Sequence, residues 1–280
     1  MKCILPLLLV VLTAVRGAAQ MPVDSIYDEN PYFILMGEAD RAIAAQDWAE
    51  AVARLNDAIA VDPANPSNAL VYCNMGLCQS CLGNDSLALE SYDRSLEIAP
   101  RMSVALMGRG RSLLSLKRDR EAFEAFGDVI EIDSLSQEAR FFHGMMALYG
   151  GNATIAENDF NVLRSVAPDE DDTYIALSTL YSLTGREREA IPYLSLLVES
   201  HPDAEYYSAL AGCYLALGQL TEASATIHDG LERFPTDPEL YYYRAWLYRD
   251  MYRSDDAKRD ARKAVELGAS PVRVNALFEK

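Results

Sequence analysis

The sequence predicts an all-α protein, a solenoid of seven stacked pairs of antiparallel helices. Three observations predict it. Alanine recurs at Ala51, Ala88, Ala122, Ala156, Ala190, Ala223 and Ala257, at intervals of 37, 34, 34, 34, 33 and 34 residues. Twelve residues before each alanine stands a small residue: Ala39, Gly76, Gly110, Gly144, Ser178, Ala211 and Ala245. Twelve residues after each come Pro63, Pro100, Ser134, Pro168, Pro202, Pro235 and Ala269, five of them proline. A fixed period in this range marks stacked units, each too small to cover its own apolar face.

Each element has a physical reason. Every unit contains two apolar-periodic segments of about three turns, the usual helix length. Trp48 to Ile59 is a typical second segment, and Asp47 before it is a good N-cap. Small residues on facing surfaces let two helix backbones approach closely. Gly83, Gly151, Gly185 and Gly218 stand five before their alanines, where a tight turn between the helices needs a permissive backbone. The proline stops the second helix and turns the chain into the next unit.

Large residues keep the same registers. Leu113, Tyr181, Tyr214 and Tyr248 lie nine before the alanine, and Leu55, Tyr92, Phe126, Phe160, Leu194 and Ile227 lie four after it. On these residues the chain resembles the tetratricopeptide repeat family over Pro31 to Ala269. Departures are local: Ala42, Gln79 and Ala147 replace the first aromatic, Ala261 the second, and Ser134 and Ala269 the proline. The resemblance implies a right-handed superhelix whose first helices line a concave, peptide-binding groove. In the family the groove-facing residues lie about 15, 11 and 8 before the alanine, one face of a helix. That face carries Tyr242, Trp246 and Arg249 in the last unit. In the fourth it carries Phe141, Met145 and Leu148, with Tyr149 beside them, and in the third Met107, Arg111 and Leu114. Tyr, Trp and Arg anchor interfaces well, since they bury large area or direct several donors. The competing reading is that these side chains pack on neighbouring helices. In the sixth unit Ser208, Gly212 and Leu215 are small enough to leave room beside Trp246. Cations are scarce on this face, so the lining suits an apolar or basic segment rather than a terminal carboxylate.

The ends read differently. Lys2, the apolar run from Ile4 to Val15 and Gly17-Ala18-Ala19 form an export signal, residues 1–19, with cleavage after Ala19. The expected location is the periplasm or the cell exterior, with no membrane span after cleavage. Residues 20–30 form a polar, loose leader. Residues 270–280 form a capping helix, with Ser270 as cap and Pro271 in the first turn. The formal charge is −17. Cleavage removes Lys2 and Arg16 and leaves 23 basic residues against 42 acidic. Such a surface repels nucleic-acid phosphates and anionic lipid.

Cys73, Cys78 and Cys81 fall within nine residues on the first helix of the second unit. Cys73 and Cys81 would stand about 12 Å apart along a helix, too far for a disulfide, and no histidine lies nearby to complete a zinc site. Cys78 and Cys213 share a register that elsewhere carries Met146, Leu180 and Leu247, so packed thiols are expected there. Cys73 lies on the groove face and should be the least buried. No phosphate loop, nucleophile elbow or metal-protease histidine pair occurs. The function expected is therefore a non-catalytic scaffold, without cofactor or metal, that binds a protein or peptide segment. A self-associating structural protein is the alternative.

Overall fold

The computed structural model describes residues 30–279. The expected export signal, residues 1–19, and most of the expected leader lie outside them. Among the described residues there are 15 helices and no strand. The chain divides into two compact units, one ending at Ala139 and the other beginning at Arg140.

In the first unit α1 (Pro31–Ala44) pairs with α2 (Trp48–Val61), α3 (Asn68–Cys81) with α4 (Asp85–Ile98), and α5 (Ser103–Ser115) with α6 (Asp119–Ile132). Successive pairs stack through α2 on α3, α4 on α5 and α3 on α5. Helix α7 (Gln137–Tyr149) spans the division. In the second unit follow α8 (Ala153–Val166), α9 (Asp171–Leu183) with α10 (Glu187–Ser200), and α11 (Ala204–Ala216) with α12 (Leu220–Arg233). Then come α13 (Pro238–Asp250) with α14 (Ser254–Glu266), and finally α15 (Pro271–Ala276). First helices adjoin first helices here too, as α11 packs on α13.

The seven recurring alanines are fully buried, and the seven small residues twelve before them are buried as well. The reason is a size match inside each pair. A Cβ added at Gly76 would stand 2.7 Å from the Tyr92 ring, and one at Gly110 2.6 Å from Phe126. Gly144 meets Phe160 in the same way. Tyr92 also reaches into the next pair, where a side chain at Gly108 would overlap it. Where the residue four after the alanine is aliphatic, as at Leu55, Leu194 and Ile227, the small partner is Ala39, Ser178 or Ala211. Large ring therefore meets glycine, and branched aliphatic meets alanine or serine.

The hairpin turn repeats as faithfully as the core. The residue five before the alanine has positive φ in all seven pairs: Gly83, Gly151, Gly185 and Gly218, and also Gln46, Lys117 and Tyr252 near +60°. Five helices gain a side-chain cap, from Asn30, Asp47, Asn152, Asp203 and Asp237. Asp47 accepts from the Glu50 amide at 3.2 Å, the role expected of it. Asn30 accepts from the Tyr32 amide and so belongs to the first pair rather than to the leader. Ser270 takes the cap position of α15 but makes no side-chain cap bond, and Pro271 stands in the first turn as expected.

Candidate functional site

The candidate site is the face of the first helices. In the first unit Arg111 forms an ion pair with Glu138. Cys73 is buried among Ala88, Tyr92 and Ala105. This departs from the expectation that it is the least buried thiol: the Tyr92 ring and alanines of two pairs close over it. Cys73, Cys78 and Cys213 are free and buried, and burial pushes the Cys73 and Cys78 thiols up to about 12. Cys81 departs from the packed-thiol reading, because it is disulfide-bonded. It is the last residue of α3 and half-buried, so its sulfur is reachable from beyond the helix pair.

In the second unit Phe141 and Met145 are half-buried, with Phe141 edge-on to Phe142 at 5.5 Å. Leu148 is buried, whereas Tyr149 at the hairpin edge is 70% exposed. The last pair differs from expectation. Tyr242 is only 7% exposed, because α15 lies over it. The Arg273 guanidinium stands 4.0 Å above the Tyr242 ring, pairs with Glu239 and donates to the Tyr243 hydroxyl at 3.3 Å. Val274 and Leu277 complete the cover. Arg249 donates to the Leu277 carbonyl at 3.1 Å and pairs with Asp250. Trp246 donates its indole N–H to Asp250 at 2.9 Å and is half-buried. The room expected beside Trp246 is filled by Tyr243: its ring stacks on Trp246 at 6.2 Å and lies 3.0 Å from where a Gly212 Cβ would stand. Tyr243 is the residue sequence reasoning missed. The available signal was the run Tyr241-Tyr242-Tyr243 opposite a glycine in the preceding pair.

A cleft of about 360 Å³ lies elsewhere, on α4, lined by Ser86, Leu89, Glu90, Asp93, Arg94 and Glu97. Its lining comes from one second helix and is mostly charged, so it does not belong to the first-helix face. Among the described residues no group of three or more His, Cys, Asp or Glu side chains could hold a metal ion, and no helix is long and apolar enough to cross a membrane.

Residues 36–103 and 175–238 match the tetratricopeptide repeat family. Those two stretches carry tetratricopeptide repeats. Solved structures share the fold across nearly the whole chain. A tetratricopeptide repeat protein from Parabacteroides merdae is 23% identical, with a TM-score of 0.65, over 88% of this chain and 97% of that one. YrrB, described as "a TPR protein with an unusual peptide-binding site", is 19% identical with a TM-score of 0.56, over 64% of this chain and 93% of its own. A DnaJ homolog subfamily C member 7 homolog from Dictyostelium discoideum is 23% identical over 209 residues, 68% of this chain. The chain spans 38% of that relative's length. The protein is thus an all-α helical-repeat solenoid.

Proposed function

We propose that this chain is an exported, non-catalytic scaffold that holds a polypeptide segment on the first-helix face of its tetratricopeptide repeats. One observation carries the reading. The last pair already holds one segment of this chain, α15, at its end, using Tyr242, Tyr243 and Arg249 of its first helix together with Ala261 and Ala264 of its second. The fourth repeat offers Phe141 and Met145 on its first helix, with the exposed Tyr149 beside them. The likeness to YrrB supports the reading, since that relative by fold has a peptide-binding site.

A peptide array probed with the full chain tests the proposal. Selected peptides should bind, and Met145→Ala/Tyr149→Ala should weaken them at unchanged melting temperature. Binding that ignores both substitutions would remove these residues from the site, and a chain that selects no peptide would end the reading. Export rests on the Lys2, Ile4 to Val15 and Gly17-Ala18-Ala19 pattern. Intact-mass measurement on protein from the source cell should place the N-terminus at Gln20; retention of Met1 would refute it.

A further inference from the structure

The last repeat inverts the charge of the chain. From Pro238 onward there are nine basic residues against seven acidic, whereas the residues before it hold 16 basic against 35 acidic. The inversion is concentrated on one helix face. Registers one, two, five and six after the recurring alanine share one side of each second helix. In the first six repeats those 24 positions hold seven carboxylates and one cation, Arg94. In the seventh all four are cations: Lys258, Arg259, Arg262 and Lys263 of α14. All four are exposed. Arg259 and Lys263 pair with Asp256 and Glu266 of their own helix, whereas Lys258 and Arg262 enter no ion pair among the described residues. Those two stand one turn apart, and like charges at that spacing destabilise a helix. An occupant of opposite charge would offset the repulsion.

A second, independent feature supplies the complement. The cleft of about 360 Å³ on α4 is lined by three carboxylates, Glu90, Asp93 and Glu97, against one cation, Arg94. Glu90 has no ion-pair partner among the described residues, and Asp93 and Glu97 each have one there, at 2.8 and 3.2 Å. The spacings agree. Lys258 and Arg262 are four residues apart on α14, and Asp93 and Glu97 are four apart on α4, about 6 Å along either helix. Leu89 lies among the cleft residues, where the aliphatic stems of lysine and arginine could cover it.

We infer that the outer face of α14 docks on the α4 cleft of a second copy of this chain. Charge complementarity names the occupant, because the register that is basic on α14 is acidic on α4. Two net-acidic copies repel at a distance, but screening confines that repulsion to about 10 Å at about 0.1 M salt. At contact the opposed patches decide. The contact is heterologous: each copy keeps a free cleft or a free α14 face, so association continues from copy to copy. It uses second helices only and leaves the first-helix face open, so it goes beyond the scaffold reading above and does not depend on it.

Light scattering on the purified chain over about a hundredfold range of concentration tests it. Mean mass should climb with concentration in about 0.1 M salt and fall back toward that of one chain in about 1 M salt, where screening acts within about 3 Å. Lys258→Gln/Arg262→Gln and Glu90→Gln/Glu97→Gln should each weaken association about tenfold or more, with melting temperatures nearly unchanged. Mixed together, the two variants should pair and stop at dimers, since one keeps an intact cleft and the other an intact α14 face. A chain that stays single at every concentration overturns the inference. So does association that persists in high salt or in either variant, or a mixture that fails to pair. Peptide binding on the array should be the same in both variants as in wild type, so the scaffold reading stands or falls separately.

Discussion

Phe126 occupies the space that a side chain at Gly110 would need: a Cβ there would stand 2.6 Å from the ring. The two residues face each other across one helix hairpin, twelve before and four after Ala122. Phe126 is fully buried, so the ring cannot swing into solvent.

Gly110→Ala should therefore destabilise the protein, by about 1–2 kcal/mol, the cost of overpacking less the gain in helix propensity. The sign is the test, because propensity alone predicts a gain of up to about 1 kcal/mol. Gly37 is the control. It too lies within a helix, but a Cβ there meets nothing within 4 Å, so Gly37→Ala should stabilise. In the double variant Gly110→Ala/Phe126→Leu the loss should be smaller than the sum of the singles. Urea midpoints for the four proteins decide it; an additive double variant would mean that the two side chains do not share the space.

This size match explains how much of the fold was legible. The recurrence of alanine, small residue and proline is a direct record of helix packing, so pairs, turns and stacking could all be placed from spacing. What spacing could not show is which segment covers a given face. Tyr242, Trp246 and Arg249 share a face in the sequence, and they share it in the structure. Yet α15 lies on Tyr242, Arg249 spends a donor on the Leu277 carbonyl, and Trp246 bonds to Asp250. A register describes one helix; coverage depends on a segment some thirty residues further on. Cys81 is similar, since its bonded state depends on a partner outside its own helix.

Buried charge recurs at one further register. Arg244 grips Asp260 through two nitrogens at 2.6 and 3.2 Å, thirteen before and three after Ala257. In the fourth repeat His143 and Asp159 hold the same places, 2.6 Å apart, with Arg140 adding a contact of 2.5 Å. The first repeat reverses the charges, with Glu38 and Arg54 at 3.9 Å. Both aspartates are buried. Asp260→Ala should cost about 1–3 kcal/mol, because it removes a buried acceptor but leaves a guanidinium that is partly exposed, whereas Glu97→Gln at the exposed Arg94–Glu97 pair should cost under about 1 kcal/mol. Arg244→Met/Asp260→Leu should recover most of the loss. A double variant no better than the single would show that the pair orders the hairpin rather than merely neutralising itself.

The hairpin turns store strain at three places. Gln46, Lys117 and Tyr252 adopt the left-handed conformation that glycine supplies in the other four repeats. Such a conformation costs a residue with a Cβ about 1 kcal/mol or more, partly offset by the entropy glycine gains in the unfolded chain. Lys117→Gly should raise the melting temperature by a few degrees or leave it level, and Gly151→Ala should lower it by about 1 kcal/mol in stability. Tyr252 is 95% exposed, so Tyr252→Gly removes almost no packing and isolates the backbone effect. Loss of stability in Tyr252→Gly, measured by thermal denaturation, would show that the tyrosine is held there by contacts and not tolerated against strain.

The buried thiols give the fold a pH limit. Burial raises the Cys73 and Cys78 pKa from about 9.0 to about 12, so both stay protonated in the folded state at neutral pH. Between those values the unfolded chain loses these protons and the folded chain does not. The unfolded state is thereby favoured, and stability falls as pH rises from about 9 toward 12. Tyr92, packed beside Cys73 and also pushed up by burial, acts in the same sense from about pH 10. Urea midpoints should thus be level from pH 7 to 8.5 and fall steadily above it, and Cys73→Ala/Cys78→Ala should start lower but decline less steeply. Alkylation at pH 8 should leave Cys73, Cys78 and Cys213 unmodified in the folded protein and label all three in urea. Labelling of Cys73 in the folded protein, or a double variant with an unchanged pH slope, would mean that Tyr92 and its aliphatic neighbours do not seal this part of the core.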